Sequence, residues 1–280
     1  MLLAPTVIVL ALVTILPTLH LLQVSFTPWN MTRPESRDFS GLANYRRILD
    51  DDRFWHSVGV QARLSVITVS MQVLVGLGVA LLLNTRMRFA EVSRSLFLVP
   101  MVLPPVVVAI IWKILFTPDI SVINWVLGLL HLPQPAWLGD PRLALWSIAI
   151  ADIWEWFPFS MLILLAGLQM LPTEPLEASR IDGASYVQSL VHIVLPLLKP
   201  IILLVLVFRL IESMKAFPLI FIMTGGGPGI VTEPTNYYAY QEIFSYSNAG
   251  YASAISVVML LITLVLSVMI IQVAGRQEVE

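Results

Sequence analysis

The sequence predicts an all-α membrane protein with six transmembrane helices. Of its 280 residues, 58% are hydrophobic and only 12% are charged, whereas about 25% of a soluble domain is charged. The mean hydropathy is +0.84, and several uncharged runs reach about 20 residues, the length that a helix needs to cross a bilayer. A net charge of −2 argues against a nucleic-acid-binding protein. The lack of cysteine excludes disulfides, thiol chemistry and zinc–thiolate or iron–sulfur sites, and four scattered histidines do not predict another metal site.

Six spans can be placed by their scarcity of charge within a single membrane domain over residues 1–280. They cover residues 2–26, 64–83, 95–116, 143–168, 200–223 and 250–273, and a polar segment occupies 169–199. The first run lacks a basic start and is too long for the apolar core of a signal peptide, so we interpret it as a span. Because the chain starts inside apolar sequence, the position of the native N-terminus is left open.

The distribution of basic residues indicates the orientation only weakly. Arg86, Arg88 and Arg94 favour a cytosolic loop between the second and third spans, and the connection over 224–250 has no basic residue. The segment over 27–57, which is external in that arrangement, nevertheless carries five arginines. The positive-inside rule therefore does not decide the orientation alone.

Apart from Lys113 near the end of the third span, five charged residues lie inside predicted spans, where charged side chains mark functional sites by default. Asp152 and Glu155 are in the fourth span, and Arg209, Glu212 and Lys215 are in the fifth. Spacings of three residues place each set on one helix face. Counted from the inner ends of the two antiparallel spans, the sets lie at similar depth. They either pair to hold the helices together or line a polar path for a solute, and the residues alone leave both interpretations open.

The polar segment between the fourth and fifth spans predicts two short helices with a sharp bend. Thr173 is a candidate N-cap of the first helix, and Gly183 lies where a residue with positive φ would follow it. Ser185 can cap the second helix, and Pro196 and Pro200 mark the entry into the fifth span. Such a pair can dock on a partner and transmit rigid-body motion, and a plain connecting loop fits the pattern equally well.

One motif in this segment resembles a known family. It reads Glu-Ala-Ser-Arg-Ile-Asp-Gly-Ala over 177–184, followed after eight residues by Ile-Val-Leu-Pro. It is similar to the EAA loop of ATP-binding-cassette (ABC) importer permeases that depend on a binding protein, with a serine in place of the usual second alanine. The resemblance places the loop in the cytosol. It implies that six residues couple the chain to an ATPase: Glu177, Ala178, Ser179, Asp182, Gly183 and Ala184.

Further segments extend the resemblance over nearly the whole chain and towards carbohydrate importers. They are Gly41–Tyr45, Leu98–Pro104 and Thr224–Pro228, the last similar to maltose-type and glycerol-phosphate-type permeases. The glycines of this last segment form a turn and no phosphate cradle, because the lysine of a nucleotide-binding loop does not follow them. The chain is therefore not expected to bind ATP itself.

The resemblance implies a complete transport assembly. The chain would be a multi-pass, non-enzymatic subunit of the bacterial cytoplasmic (inner) membrane that moves a carbohydrate or related polyol by alternating access. Its implied partners are a second homologous permease subunit, two ATP-binding subunits, a periplasmic or extracellular solute-binding protein and the lipid bilayer, with no nucleic acid. No cofactor, metal or catalytic residue is expected on this chain, because ATP and Mg²⁺ would be bound by the ATPase subunits.

The resemblance also implies a substrate path. In maltose-type permeases the sugar contacts lie on the span before the EAA loop and on the span before the glycine-rich turn. Alignment on Pro158 and Gly226–Pro228 transfers them to Asp152, Glu155, Trp156, Phe159, Arg209, Glu212, Ser213 and Ala216, and Lys215 lies beside them. Because the maltose pattern uses neutral amides, a different solute that is charged or heavily hydroxylated is expected.

The main alternative is an ion-coupled secondary transporter that uses Asp152 and Glu155 as proton or cation sites. Such a protein should show inverted repeats and interrupted helices, and the sequence indicates neither. A structural membrane scaffold is a third alternative, but it would not need charges inside its spans.

Overall fold

The chain is mostly helical in the residues that the computed structural model describes, which are 4–33, 35–84 and 90–275. One isolated bridge between Asn30 and Arg33 is the β-structure in these ranges. The all-α class predicted from composition is confirmed. Residues 2 and 3 of the first predicted span, and Arg86 and Arg88 of the loop used for orientation, lie outside the described residues.

The helices are numbered here in chain order. They are α1 (Ala4–Ser25), α2 (Ala43–Leu49), α3 (Asp52–Leu83), α4 (Ala90–Val102), α5 (Pro105–Phe116), α6 (Val122–Leu129), α7 (Ala144–Met170), α8 (Glu174–Ile181), α9 (Tyr186–Ser189), α10 (Leu195–Ser213), α11 (Phe217–Met223), α12 (Thr235–Phe244) and α13 (Ala249–Gly275). Within the described residues, five helical segments are long and apolar enough to cross a membrane, or six if the bent pair of α4 and α5 is one span.

Two of the predicted spans are interrupted, contrary to the expectation of unbroken helices. The third bends by 97° between α4 and α5, where Pro104 and Pro105 cannot donate the backbone hydrogen bonds that would continue the helix. The fifth ends as a helix at Ser213 and resumes at Phe217 as α11. Its main helix also starts earlier than predicted, because a π-helical turn over Leu190–Val194 joins α9 to α10.

The chain divides into two compact units, and the first comprises the residues up to Gln61 together with Glu233–Val265. A polar cluster of this unit is built on the half-buried Asp51, which was not among the predicted site residues. One carboxylate oxygen accepts hydrogen bonds from the N–H groups of Arg53 and Phe54 at 2.9 and 3.1 Å and so caps α3. The other oxygen accepts from the hydroxyl groups of Tyr238, at 2.6 Å, and Tyr251.

These hydrogen bonds shift the titration of the groups that make them. Burial by itself would raise the pKa of the Asp51 carboxyl, but the bonds from Tyr238, Tyr251 and the two N–H groups lower it below its ordinary value. Burial, and then the bond to Asp51, raise the pKa of Tyr238. The ionised carboxylate and neutral phenol are therefore the matched forms in the folded unit.

The second unit comprises residues 62–232 and the end of α13, from Leu266. It contains α7, which packs against α4 and α10, and the later part of α3, which approaches α7 closely at Gly76. A Cβ atom at Gly76 would lie 2.7 Å from Cβ of Ser160 and 2.8 Å from the backbone nitrogen of Met161. This glycine therefore permits the close contact of the two helices.

Candidate functional site

Three charged side chains meet in the interior of the second unit. Asp152 and Glu155 lie one turn apart on α7, and Arg209 lies on α10. Their exposed fractions are 3%, 1% and 1%. Gly167 brings the two helices close, because Leu198 and Ile201 of α10 occupy the space where its side chain would be. The structure thus brings one residue of the fifth-span set, Arg209, together with both residues of the fourth-span set.

A glutamine that the sequence analysis missed connects these charges. Gln72 of α3 donates from Nε2 to Oδ2 of Asp152 at 2.8 Å and to its backbone oxygen at 3.0 Å. Arg209 donates from Nε to Oε1 of Gln72 at 2.8 Å. A buried chain of hydrogen bonds therefore runs from the guanidinium through the amide to the carboxylate.

Aromatic rings flank the guanidinium. The Cζ atom of Arg209 lies 4.9 Å from the ring centroid of Trp156 and 6.0 Å from that of Phe159. The Phe159 ring in turn packs edge-on against Phe208, at 6.2 Å between centroids. Trp156 and Phe159 were predicted as site residues, and both contribute a face to the surroundings of the charge.

Several buried polar atoms of this region keep unused hydrogen-bonding capacity within the described part of the chain. They include both carboxylate oxygens of Glu155, Nη1 of Arg209 and the hydroxyl oxygen of Ser160. Trp156 lies near the Glu155 carboxylate but makes no hydrogen bond of normal geometry with it. Leaving a buried charge without a partner costs several kcal/mol, as an order of magnitude. Such atoms are where a polar ligand would regain hydrogen bonds.

The remaining predicted path residues lie differently from the expectation. Glu212 and Lys215 form an ion pair with each other at 2.8 Å, and their side chains are 40% and 64% exposed. Lys215 and Ala216 lie in the break after α10, so they are not on the regular helix that the count of depth assumed. Ser213 is buried, and its hydroxyl oxygen lies within hydrogen-bond distance of Leu210 O, at 2.7 Å, and of Oγ of Ser65, at 2.9 Å.

The contribution of α3 had a signal in the sequence. Ser65, Thr68 and Gln72 recur at spacings of three and four residues in a largely apolar run, and all three are buried. This spacing places them on one helix face. Polar residues that recur every three or four positions, and not only charged ones, therefore indicate that α3 is the third helix of the site.

The polar segment after α7 has the predicted bent form. Gly183 follows α8 with φ +78°, a conformation that favours glycine. Ser185 caps α9 through reciprocal bonds with Gln188, whose side chain accepts from the Ser185 N–H at 2.8 Å. We call residues 174–189 the bent helix pair.

The predicted coupling residues do not all face outward. Glu177, Ala178, Asp182 and Gly183 are exposed and Ala184 is half-buried. Ser179 is buried, and its hydroxyl lies 3.1 Å from that of Ser189, so it ties α8 to α9. The most exposed large apolar side chain of the pair is that of Ile181, which is 86% exposed and was not among the predicted coupling residues.

Comparison with known proteins assigns the chain to a family. The family model described as "Binding-protein-dependent transport system inner membrane component" matches residues 72–278. The chain belongs to this family. It is therefore a multi-pass membrane subunit of an ABC importer, and the ion-coupled alternative is not favoured.

Relatives with named systems support the same assignment. The chain is 35% identical over 273 residues to the trehalose/maltose transport system permease protein MalF of Thermococcus litoralis, covering 96% of this chain and 92% of the relative. It is 34% identical over 278 residues to the sulfoquinovosyl glycerol transport system permease protein SmoG of Agrobacterium fabrum, covering 99% and 90%.

Solved structures share the fold. A bacterial ABC transporter involved in the import of the acidic polysaccharide alginate matches with a TM-score of 0.83 and 20% identity, covering 98% of this chain and 94% of that chain. The MetNI methionine ABC transporter matches with a TM-score of 0.54 and 17% identity, covering 79% and 92%. The interrupted helices are thus compatible with an ABC permease fold.

Proposed function

We propose that this permease moves a carbohydrate or related polyol, and that the solute passes Glu155 and Arg209. The observation that carries the proposal is the unused hydrogen-bonding capacity of these two buried side chains, one an acceptor and the other a donor. A sugar hydroxyl both donates and accepts, and the aromatic faces of Trp156 and Phe159 can stack against its C–H groups. Hydrogen bonds to ionised groups are the stronger ones.

The names of the relatives favour this class of solute. Several belong to transport systems for trehalose, maltose or sulfoquinovosyl glycerol. The charged side chains here replace the neutral amides of the maltose pattern, so we expect a solute other than maltose. We include Asp152 and Ser213 as supporting residues of the path, because their polar groups are bonded within the protein. Glu212, Lys215 and Ala216 are proposed to border the path rather than to bind.

The proposed site is closed in this conformation. Asp152, Glu155 and Arg209 are each at most 3% exposed. A solute therefore needs a second conformation to reach them, as alternating access requires. The breaks at Pro104 and after Ser213 are the points where helix segments can move without breaking regular backbone hydrogen bonds.

The bent helix pair is proposed to dock on an ATP-binding subunit. Its exposed tip combines acidic side chains at Glu177 and Asp182 with the apolar side chain of Ile181. The left-handed backbone at Gly183 and the Ser185 cap give the pair a defined shape, which rigid-body coupling requires. ATP and Mg²⁺ would be held by two such subunits, so no cofactor or metal is proposed for this chain.

The rest of the assembly follows from the family. We propose a second permease subunit that completes the path and a solute-binding protein that delivers the solute from outside. The alginate importer also has a crystal structure in complex with its substrate-bound periplasmic protein. This neighbour supports a binding-protein partner for our chain.

Uptake into proteoliposomes tests the proposal. The chain, its partner permease and ATPase would be reconstituted with the binding protein and supplied with radiolabelled trehalose or sulfoquinovosyl glycerol, with maltose as the solute for which we expect no uptake. We expect ATP-dependent uptake of at least one solute, and an increase in its KM of about tenfold or more in Glu155→Gln and Arg209→Ala, since each loses a charged hydrogen bond. The exposed carboxylate variant Asp119→Asn is the matched control.

Two results would count against the proposal. Uptake without ATP would contradict the ABC mechanism. An unchanged KM and rate of uptake in both Glu155→Gln and Arg209→Ala would mean that these two residues have only a structural role. For the coupling element, Gly183→Val should abolish ATP-driven uptake, because valine disfavours positive φ. The control Gly59→Ala has no atom within 4 Å of the added Cβ and should retain uptake.

A further inference from the structure

The side chain of Gln72 lies between the side chains of Asp152 and Arg209 and is hydrogen-bonded to both. It is fully buried and bonded at both ends of its amide, to Asp152 and to Arg209. Within the described residues, no ion pair of 4.0 Å or less joins Asp152 to Arg209. The amide therefore separates two opposite charges that would otherwise be drawn together.

The chemistry of the bridge allows few alternatives. A guanidinium only donates hydrogen bonds, and an ionised carboxylate only accepts them. The connecting side chain must accept at one end and donate at the other, as the amide of Gln72 does. A leucine could do neither, and a glutamate could accept from Arg209 but would repel Asp152. The orientation of the Gln72 amide follows from its two partners.

The bridge determines which atoms remain available. It bonds Arg209 through Nε at 2.8 Å, while Nη1 has no partner among the described residues. It also satisfies Oδ2 of Asp152, while both carboxylate oxygens of Glu155 stay without a normal hydrogen bond. A direct ion pair with Asp152 would instead engage the terminal nitrogens of the guanidinium.

We propose that Gln72 is a positioning residue of the solute path, which holds Arg209 so that its terminal N–H groups face the solute and do not pair with Asp152. This inference rests on the proposed function, because it assumes that the solute passes Glu155 and Arg209. It adds α3 to the two helices that the family resemblance implicated. Gly76, one turn along α3, sets the close approach to α7 on which the bridge depends.

Charge-selective thiol labelling tests this inference without knowledge of the solute. The chain has no cysteine, so Glu155→Cys introduces a single reporter thiol. Membranes carrying the assembled transporter would be treated during ATP turnover with an anionic sulfonate or a cationic ammonium methanethiosulfonate, and labelling of this chain would be followed over time. A unit charge about 6 Å away in a watery site changes the ratio of anionic to cationic labelling rates about tenfold.

We expect the anionic reagent to label the reporter variant faster than the cationic one. The ratio of anionic to cationic labelling rates should fall at least threefold when Gln72→Leu or Gln72→Glu is added. The double change Gln72→Glu with Asp152→Asn should restore it, because the new amide at 152 can donate to the new carboxylate, which still accepts from Arg209. Total charge is then the same as in the reporter variant. Rescue of this kind distinguishes positioning from a general loss of folding.

The outcomes separate the two proposals. One outcome is that the reporter is labelled with a rate ratio that falls in Arg209→Gln but not in Gln72→Leu or Gln72→Glu. This result overturns the positioning role of Gln72 and leaves the proposed path in place. If neither reagent reaches the reporter thiol during turnover, the path itself is wrong and the inference falls with it. A double variant that stays as low as Gln72→Glu also overturns the inference.

Discussion

Gly76→Ala tests the helix contact that supports the buried cluster. The added Cβ would lie 2.7 Å from Cβ of Ser160, 2.8 Å from the nitrogen of Met161 and 3.1 Å from the oxygen of Phe157. Carbon atoms in contact are normally about 3.5–4.0 Å apart. Since two of the three neighbours are backbone atoms of α7, the helices themselves must separate by about 1 Å to restore contact distances.

The expected cost follows from overpacking. Inserting a methyl group into a packed interior costs about 1–3 kcal/mol of unfolding free energy. For a chain of this size, each kcal/mol lowers the melting temperature by about 2–4 °C, so Gly76→Ala should melt about 2–12 °C lower. Separation of α3 from α7 would also lengthen the Gln72–Asp152 bond, now 2.8 Å.

Gly78 provides a matched control two residues away on the same helix. No atom lies within 4 Å of a Cβ placed there, and alanine stabilises a helix by up to about 1 kcal/mol relative to glycine. Thermal unfolding of both variants in the same detergent, followed by size-exclusion chromatography after heating, measures the difference. Equal melting temperatures for Gly76→Ala and Gly78→Ala would refute the steric argument.

Three further changes have defined outcomes. Arg53→Lys removes the two-pronged contact with Glu233, made at 2.8 Å by both Nε and Nη2, and should lower the unfolding free energy by about 1–3 kcal/mol in denaturant titration. The pKa of Asp51 is lowered in the folded state. The ionised carboxylate therefore stabilises the fold above the ordinary pKa of about 4, and this contribution is lost as the pH falls through the folded-state pKa. The unfolding free energies of the parent and Asp51→Asn should thus converge at acid pH, and a constant difference between them would contradict this. Ser185→Ala removes the α9 cap and should cost about 1 kcal/mol and reduce ATP-driven uptake, with Ser245→Ala, outside the pair, as control.

The candidate site lies close to the interruption between α10 and α11. Arg209 is one turn before the end of α10 at Ser213, and α11 then packs against α5, the segment that follows the other break. A guanidinium near a helix end can shift with the neighbouring segment more easily than one in the middle of a continuous helix. This arrangement suits a site that must face two sides of the membrane in turn.

Several features could be predicted because they depend on short stretches of sequence. The span lengths follow from hydropathy, the bend at Gly183 from the need for positive φ, and the start of α9 from the capping pattern at Ser185. The family resemblance likewise depends on contiguous motifs. The break at Pro104 and Pro105 has a local signal as well, because two consecutive prolines interrupt helical hydrogen bonds, although hydropathy alone predicts a continuous span there.

The sequence by itself determined that the chain spans a membrane, carries a bent helix pair and places acidic and basic residues in its spans. Only the tertiary structure decided which of these meet: Arg209 joins Asp152 and Glu155, whereas Glu212 and Lys215 pair at a more exposed position. Lys215 lies in the break after Ser213, outside the regular helix, which no count along one helix can show. Contacts between distant helices depend on how closely backbones approach, and here a glycine on α3 and another on α7 set that approach.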